Sequence, residues 1–432
     1  MENKTERELC WKTGMRIGHR YSLEEYLGRD GTFAVWEALD ERLKIVVQLV
    51  VFEDETPSRV RQFAWGVQKK EKESRGPVLL NMGRVEDKYL LVLYSDNHFF
   101  PEEKWIQIEK ENPNRIQQRE SRSLSEEQKR RVLPMETILS GRYKVEEVVG
   151  IGGFGITYRC LDQVIMREVA IKEYLPDNLA ARDGKYVTVL STRYLKEFRN
   201  GYNRFLKEIV LTAGFIGLSH LPTVYDAFEE NDTAYMVMRY EEGESLGIEF
   251  RQRDYQPYSP ASLGQKIMPV LQGLELMHQR GILHRDLSPG NMLQREDGEM
   301  VLIDMGSAMK INEKKASVVS VLKQDFAAPE QFDNARAGRI VTPEGPWTDV
   351  YSIGATMYYL LTGKKAANAL SRRKQVEKLS FDIPGIKIRK GWRRLITECM
   401  EIEPEKRIKS VDDVLQRLEK LMKKELLHHA MR

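Results

Sequence analysis

The chain has 432 residues, of which 41% are hydrophobic and 31% charged, as in a folded protein of two or three domains. Its 68 lysines and arginines nearly balance 65 aspartates and glutamates, so the net charge of +3 favours neither nucleic-acid nor membrane binding. Three scattered cysteines have no metal-binding spacing, no apolar run reaches the ~18 residues of a membrane span, and MENKTERELCWK does not resemble a signal peptide. We therefore expect a cytoplasmic protein.

The first part of the chain, residues 20–97, alternates short apolar runs with turns. The runs FAVWEALD, IVVQLVVFED and KYLLVLYSD predict antiparallel strands. Residues 101–134 are mostly charged and amide side chains with little apolar periodicity, which predicts a linker with some helix.

A second strand-rich part follows, with strand-like runs at 142–175 and 223–240. Between these runs, apolar residues recur every three or four positions and predict an amphipathic helix: Leu195, Phe198, Tyr202, Leu206 and Ile209. After residue 260 the helical pattern dominates, apart from a loop at 281–310. The chain ends in VDDVLQRLEKLMKKELL, which predicts another amphipathic helix.

Two segments of the second part have the residue types of a phosphate site. Gly150, Gly152 and Gly155 form a G-x-G-x-x-G pattern between strands, where glycine lets backbone N–H groups approach phosphate. The glycine pattern alone is weak evidence for a phosphate site. No long helix follows it in the sequence, which argues against a dinucleotide-binding fold. Lys172 follows in REVAIKEY; it could simply extend to the surface, but its distance behind the glycines favours a phosphate contact.

The loop HRDLSPGN places Asp286 and Asn291 five positions apart, where both could face one reacting centre. With the glycine loop, VAIK, LIDMG and AAPE, it resembles the ordered signature set of protein kinases. The resemblance covers about residues 139–425 and is greatest to eukaryotic-like bacterial serine/threonine kinases. It implies an α+β, two-lobed fold: a β-rich small lobe at 139–241 and a helical large lobe with a C-terminal helix at 242–432. A charged linker at 99–138 would precede the two lobes.

The resemblance also implies the roles of individual residues. Asp286 would orient the acceptor hydroxyl, Lys172 would hold phosphates and pair with Glu208 or the alternative Glu197, and Asn291 and Asp304 would bind Mg²⁺. The implied ATP-binding residues are Val149, Gly150, Ile151, Gly152, Gly153, Phe154, Gly155, Thr157, Ala170, Lys172, Met238, Arg239, Tyr240, Glu241, Leu293 and Asp304. Structural roles are implied for the pair Glu330–Arg407 and for Asp349, which would brace the catalytic loop.

Three departures from the family pattern affect this interpretation. Met305 replaces the phenylalanine of D-F-G, and Ser288 replaces a lysine that contacts the γ-phosphate. Lys323 stands where serine/threonine kinases usually have a threonine, so we expect that hydroxyl and ammonium have exchanged places and that Lys323 supplies the missing charge. An ordinary exposed lysine is the alternative.

Control by phosphorylation is a further expectation. Arg285 beside Asp286 suggests an arginine that orders a phosphorylated activation segment, residues 304–330. The candidate phosphorylation sites in that segment are Ser317 and Ser320, although each could equally cap a turn.

The N-terminal part matches the small lobe at an offset of 122 residues. Residues 20–50 align with 142–172 without a gap, and the identical pairs are Arg20/Arg142, Tyr21/Tyr143, Glu24/Glu146, Glu25/Glu147, Gly28/Gly150, Gly31/Gly153, Leu39/Leu161, Asp40/Asp162 and Val47/Val169. Asp30, Phe33 and Val50 replace Gly152, Gly155 and Lys172, so this copy cannot be catalytic. We call residues 1–98 the N-terminal module. An unrelated β-rich domain is the alternative.

The sequence therefore predicts an ATP- and Mg²⁺-dependent protein kinase that phosphorylates serine and threonine, autophosphorylates and is regulated by its N-terminal module. A pseudokinase or scaffold that binds nucleotide with little turnover is the alternative, and a small-molecule kinase is disfavoured by AAPE and its preceding segment. The expected partners are protein substrates, with self-association or intramolecular docking through the module, but no nucleic acid and no membrane span.

Overall fold

The computed structural model describes residues 11–30, 33–52, 55–72, 77–85, 88–95, 124–311, 322–374, 378–383, 385 and 388–430. The chain forms two compact units. The first runs to Gly217 and also includes Thr223–Tyr240; the second contains Leu218–Pro222 and the residues from Glu241 onward. None of the helices in the described ranges combines the length and apolar character needed to cross a bilayer.

The N-terminal module forms a six-stranded antiparallel sheet with one helix. Its elements are β1 (Arg16–Ile17), β2 (Tyr21–Asp30), β3 (Phe33–Asp40), β4 (Ile45–Phe52), α1 (Pro57–Lys72), β5 (Val78–Val85) and β6 (Lys88–Tyr94), in the sheet order β1-β2-β3-β4-β6-β5. The three predicted strands are confirmed as β3, β4 and β6. Helix α1 was not predicted; it packs on the sheet through Val60, Phe63, Ala64 and Val67, which are buried at helical spacing.

The rest of the first unit is a second six-stranded sheet. Its elements are α2 (Glu126–Arg131), β7 (Ile138–Leu139), β8 (Tyr143–Gly152), β9 (Gly155–Asp162), β10 (Arg167–Tyr174), β11 (Ala180–Asp183), β12 (Tyr186–Val189), α3 (Leu195–Ala213), β13 (Val224–Glu230) and β14 (Thr233–Arg239). The sheet order is β7-β8-β9-β10-β14-β13, while β11 and β12 form a separate hairpin. Helix α3 confirms the predicted amphipathic helix and buries Phe198, Phe205 and Ile209.

The two sheets have the same strand order: β1, β2, β3, β4, β6 and β5 of the module correspond to β7, β8, β9, β10, β14 and β13. Their irregularities also correspond: β2 shifts register between Leu23 and Glu25, and β8 shifts between Val145 and Glu147, which lie 122 positions later. Within each sheet the arginine immediately before the second strand bonds the aspartate that ends the third, Arg20 to Asp40 and Arg142 to Asp162. The two sheets thus share topology, bulges and an internal ion pair.

These two arginines also bridge the sheets reciprocally. Arg20 Nη1 donates to Asp226 Oδ1 on β13 at 2.6 Å, and Arg142 Nη1 donates to Asn81 Oδ1 on β5. Burial alone would raise the pKa of Asp226, but Arg20, Arg42 and Arg142 together hold it below its ordinary value. A polar interface with reciprocal contacts therefore joins the N-terminal module to the second sheet.

Apolar side chains cross the same interface in both directions. Ile165, in the turn after β9, belongs to the core cluster of the module around Phe33 and Phe63. Leu43, in the corresponding turn of the module, is fully buried in the cluster that contains Tyr143 and Tyr235 of the second sheet. Each sheet therefore completes the hydrophobic core of the other.

The second unit is predominantly helical, as predicted. It contains β15 (Gly243–Ser245), α4 (Leu246–Gln252), α5 (Pro260–Gln279), β16 (Ile282–Leu283), β17 (Met292–Arg295), β18 (Met300–Leu302), β19 (Met309–Lys310), α6 (Pro329–Ala337), α7 (Pro346–Thr362), α8 (Ala369–Lys374), α9 (Lys390–Cys399) and α10 (Val411–Ala430). Helix α5 begins at a Ser259 cap followed by Pro260, and α7 ends at Gly363 in the left-handed conformation. The C-terminal amphipathic helix is confirmed as α10.

Candidate active site

The glycine loop is the hairpin between β8 and β9, closed by Gly153 and Phe154. A Cβ at Gly155 would lie 2.0 Å from the carbonyl oxygen of Glu173, so glycine is required there by strand packing. A Cβ at Gly150 or Gly153 would meet nothing within 4 Å. Gly150 and Gly153 therefore border open space, in which a bound group could approach the backbone.

Two backbone hydrogen bonds hold the tip of this hairpin. Leu175 N donates to Phe154 O at 3.1 Å, and Asp177 N donates to Gly153 O at 3.0 Å. Arg131 of α2 forms an ion pair with Asp177. The carbonyl groups at the tip are thus occupied, and they point towards the segment after β10 rather than outward.

Lys172 and Glu208 form the predicted type of ion pair within the first unit. Lys172 Nζ lies 2.7 Å from Glu208 Oε1, and both side chains are largely buried. Glu208 lies on the buried stripe of α3, whereas the alternative, Glu197, lies in the first turn of that helix. In the sheet, Lys172 pairs with Thr157 on one side and Met236 on the other, which fixes where its side chain starts.

The implied ATP-binding residues Arg239, Tyr240 and Glu241, which we call the hinge strand, begin at the last residue of β14. Ala170 pairs with Met238 in the register between β10 and β14, and Arg239 N donates to Thr223 O at 2.8 Å. In the second unit, Glu241 accepts a 2.6 Å bond from Arg295, and Leu293 pairs with Ser245. These implied ATP-binding residues thus lie on a regular strand or next to one.

The loop HRDLSPGN is held by Asp349 of α7, the residue predicted to brace it. Its carboxylate accepts bonds from the backbone N of His284 at 2.8 Å and of Arg285 at 2.7 Å, and His278 Nε2 lies 2.8 Å from Oδ2. Burial alone would raise the pKa of Asp349, but the His278 hydrogen bond and the nearby histidines outweigh burial and lower it. The loop therefore rests on a buried, ionised carboxylate.

Asp286 is contacted by two of the polar side chains singled out from the sequence, those of Asn291 and Lys323. Asn291 Nδ2 donates to Asp286 Oδ2 at 2.9 Å, and Lys323 Nζ lies 2.8 Å from the same oxygen. Lys323 Nζ also donates to Ser288 Oγ at 3.1 Å. The structure thus brings Asp286, Ser288, Asn291 and Lys323 into one polar cluster, with the ammonium beside the serine.

The predicted metal ligands lie at the ends of the paired strands β17 and β18. Ile303 N donates to Asn291 O at 2.9 Å, which places Asp304 directly beyond this contact. Both bonds of Asn291 Nδ2 go to Asp286, so the amide oxygen is the atom suited to a cation. No group of three or more His, Cys, Asp or Glu side chains forms a metal site in the described ranges. A cation at Asn291 and Asp304 would therefore take its other oxygens from a ligand or water.

Arg285 is already paired within the second unit. Its Nε and Nη2 donate to the two carboxylate oxygens of Glu344 at 2.6 and 3.2 Å, and both side chains are buried. Asn334 donates to the same carboxylate at 2.7 Å. Glu344 was missed in the sequence, because nothing in the local pattern TPEGPW marks it as a partner of Arg285. Ser317 and Ser320 lie outside the described residues.

Glu330, Arg407 and Met305, which were not assigned to the chemistry itself, are buried in the second unit. Arg407 Nη1 lies 2.8 Å from Glu330 Oε1 in a fully buried pair, which confirms the predicted partnership. Met305 is buried. A second buried pair, Glu173 with Arg182, was not predicted; the hydroxyls of Tyr158 and Tyr235 also donate to this glutamate.

Comparisons with known proteins agree with this geometry. The model of the protein kinase domain family matches residues 143–420. The chain is 26% identical over 295 residues to a probable serine/threonine-protein kinase of Clostridium acetobutylicum, covering 65% of this chain and 40% of that protein. It is 27% identical over 288 residues to serine/threonine-protein kinase F of a Synechocystis species, covering 65% of this chain and 55% of that protein. It is 30% identical over 236 residues to serine/threonine-protein kinase PknL of Mycobacterium tuberculosis, covering 53% of this chain and 52% of that protein. The chain thus spans about half the length of these curated relatives.

A solved structure, the apo form of PpkA-294, is 29% identical with a TM-score of 0.56, covering 66% of this chain and 99% of that chain. The predicted fold class is confirmed: a β-rich small lobe and a helical large lobe, preceded by a β-rich domain. Membership of this family implies ATP and a divalent metal ion in general terms. Because the family model matches well over half of its residues, the chain belongs to the protein kinase domain family.

Proposed function

We propose that the chain is an ATP-dependent protein kinase that transfers the γ-phosphoryl group to serine and threonine hydroxyls of proteins. The observation that carries the proposal is the cluster around Asp286, where a carboxylate, an amide and an ammonium meet on the catalytic loop. A carboxylate in this position can orient an acceptor hydroxyl and take its proton. The relatives' names support serine and threonine as acceptors.

ATP and Mg²⁺ are assigned to two sets of residues, one in each unit. Lys172, held by Glu208, contacts the α- and β-phosphates, while the backbone of Gly150–Gly155 lies over them. Asn291 and Asp304 would hold Mg²⁺, which would neutralise charge on the transferred group when bound. Both are hard oxygen ligands, so the residues present fit this ion.

The cation next to the acceptor comes from Lys323 rather than from position 288. Its ammonium bonds both Asp286 and Ser288 and therefore lies where charge on the transferred group develops. Ser288 orients this ammonium through its hydroxyl. These contacts support the exchange of hydroxyl and ammonium expected from the sequence.

The N-terminal module is a degenerate copy of the kinase small lobe. Its strand order, the position of its bulges and its Arg20–Asp40 pair match those of the second sheet at the same offset of 122 residues. It cannot transfer phosphate, because Val50 replaces Lys172 and is fully buried in β4. The contacts of Arg20 and Arg142 support docking within one chain, through which the module regulates the kinase.

The proposal is tested by incubating the full chain with labelled ATP in the presence and absence of Mg²⁺. We expect Mg²⁺-dependent autophosphorylation on serine or threonine, and its loss in Asp286→Asn, which keeps the shape but removes the carboxylate. Mass spectrometry of the modified sites identifies the acceptor residue. Nucleotide binding without phosphorylation of the chain or of added protein substrates would instead identify a pseudokinase or scaffold.

A further inference from the structure

The side chain of Arg239, the last residue of β14, points towards the N-terminal module. Successive residues of a strand face opposite sides of the sheet, so Met238 and Arg239 diverge. Arg239 Nη2 donates to Glu71 Oε1 of the N-terminal module at 2.6 Å, and Nε donates to Tyr225 Oη at 3.3 Å. The last residue of β14 is therefore bonded to the module within the first unit.

Glu71 is built into this contact. It lies near the C-terminal end of α1, where the helix dipole disfavours a negative charge, yet its side chain is only 8% exposed. Oε1 accepts from Arg239 and from Tyr225 Oη at 3.1 Å, and Oε2 accepts from Leu79 N at 3.3 Å. A carboxylate disfavoured by its own helix is thus satisfied by an arginine outside the module.

Further contacts across the interface surround the Glu71–Arg239 pair. Arg167, at the start of β10, stacks over the Tyr225 ring with its guanidinium carbon 3.5 Å from the centroid. Arg167 Nη1 also donates to Leu79 O of β5 at 2.8 Å. Because Leu79 and Tyr225 both contact Glu71 as well, these five residues form one connected network across the interface.

We propose that Glu71 is a positioning residue for nucleotide binding: through Arg239, the N-terminal module fixes the course of the hinge strand. The inference rests on the proposed ATP-dependent function, for which Arg239, Tyr240 and Glu241 are among the implied nucleotide-binding residues. Glu71 touches no nucleotide; it limits the positions that the backbone at Arg239 can adopt. The module therefore acts on affinity for ATP more than on the rate of transfer.

The test compares the full chain with Glu71→Gln, with Arg239→Met and with the double variant. Glu41→Gln is the matched control, because Glu41 lies on the same module but pairs with Lys44 at the surface. The dissociation constant for Mg²⁺-ATP is measured by titration at a temperature at which thermal melts show every variant folded. KM for ATP and kcat are measured in parallel.

We expect Glu71→Gln to raise the dissociation constant and KM by on the order of 3- to 30-fold with little change in kcat, as for residues coupled to a site through a packed network. The substitution should have no further effect in the Arg239→Met background, and Arg239→Lys should retain part of the wild-type affinity. Glu41→Gln should bind ATP as the wild type does.

An unchanged dissociation constant in Glu71→Gln would overturn the inference, even if its melting temperature fell, because the pair would then be structural only. Fully additive effects of the two substitutions would overturn it as well. Wild-type chain that binds ATP without transferring phosphate would contradict the proposed function alone. Wild-type chain that binds no nucleotide would overturn both.

Discussion

Lys323 Nζ lies 2.8 Å from Asp286 Oδ2, so a cation stands beside this carboxylate although position 288 is a serine. The two residues are 37 positions apart, and the lysine approaches from the segment before α6. Charge in a pocket of this kind depends on where an ammonium lies and not on which segment carries it. The family pattern can therefore change at two positions while the local charge is kept.

Replacing Lys323 by alanine is expected to lower kcat by about 10²- to 10³-fold, as for the removal of a donor that stabilises developing charge. KM for ATP should change little, because the proposed contact of Lys172 with the other phosphates is kept. Lys365→Ala is the control, since Lys365 pairs with Asp325 and not with Asp286. Adding Ser288→Lys to Lys323→Ala should restore part of the rate. An unchanged kcat in Lys323→Ala would show that the lysine is only a surface residue.

The buried pair of Arg285 and Glu344 predicts independence from phosphorylation of the activation segment. The guanidinium already has a carboxylate partner, so a phosphate is not needed to neutralise it. Chain with both Ser317→Ala and Ser320→Ala should keep its kcat within about twofold, because no phosphate-dependent ordering is lost. A larger loss of kcat, reversed when both serines are replaced by aspartate, would show that phosphorylation of the segment controls the activity.

Breaking the same pair should reduce stability. Glu344→Ala leaves Arg285 buried without its main partner and should lower the free energy of unfolding by about 3–5 kcal/mol. Asp333→Asn breaks the exposed pair with Arg373 and should cost only ~0–1 kcal/mol. Urea unfolding of the two variants measures the difference; equal losses would mean that Arg285 finds another partner.

The glycine loop offers a comparison between two glycines. Gly155→Ala places a methyl group 2.0 Å from Glu173 O and should lower the free energy of unfolding by about 1–3 kcal/mol, as other overpacked substitutions do. Gly153→Ala meets no neighbouring atom and should leave the melting temperature almost unchanged. Thermal melts of both variants test this; similar melting temperatures would mean that the hairpin relaxes around the methyl group.

The stability of the chain should fall as the pH drops below about 6.5, the ordinary pKa of histidine. Burial lowers the pKa of His284, and its Nδ1 accepts the backbone N–H of Asp286 at 3.3 Å, so the folded chain holds this imidazole neutral. Between the folded and unfolded pKa values only the unfolded chain binds the proton, which favours unfolding as pH falls.

Melting temperatures measured between pH 5 and pH 7.5 check this prediction. His284→Asn removes the titrating group and should flatten the profile below pH 6.5, whereas substitution of the exposed His19 should not. An equally steep profile in His284→Asn would assign the acid sensitivity to other groups.

Much of the kinase region was predictable because short sequence patterns mark its elements. The glycine hairpin, the strand around Lys172 and the amphipathic helix with Glu208 each have a recognisable pattern within a few residues. The pairing of Glu330 with Arg407 was also predicted, but only through the family resemblance. Helix α1 was missed, although the offset of 122 residues suggested that the module follows the plan of the small lobe.

The sequence alone determined which residue types are present, their order along the chain and the periodicity of the apolar side chains, because these depend on neighbours a few positions away. Only the tertiary structure decided which distant charges meet: Arg285 with Glu344, Arg239 with Glu71, and Arg20 with Asp226. Such pairs join positions 59 to 206 residues apart, and no local pattern encodes them. Their partners are chosen by burial, because a charge removed from water must find an opposite charge wherever the packed elements bring one.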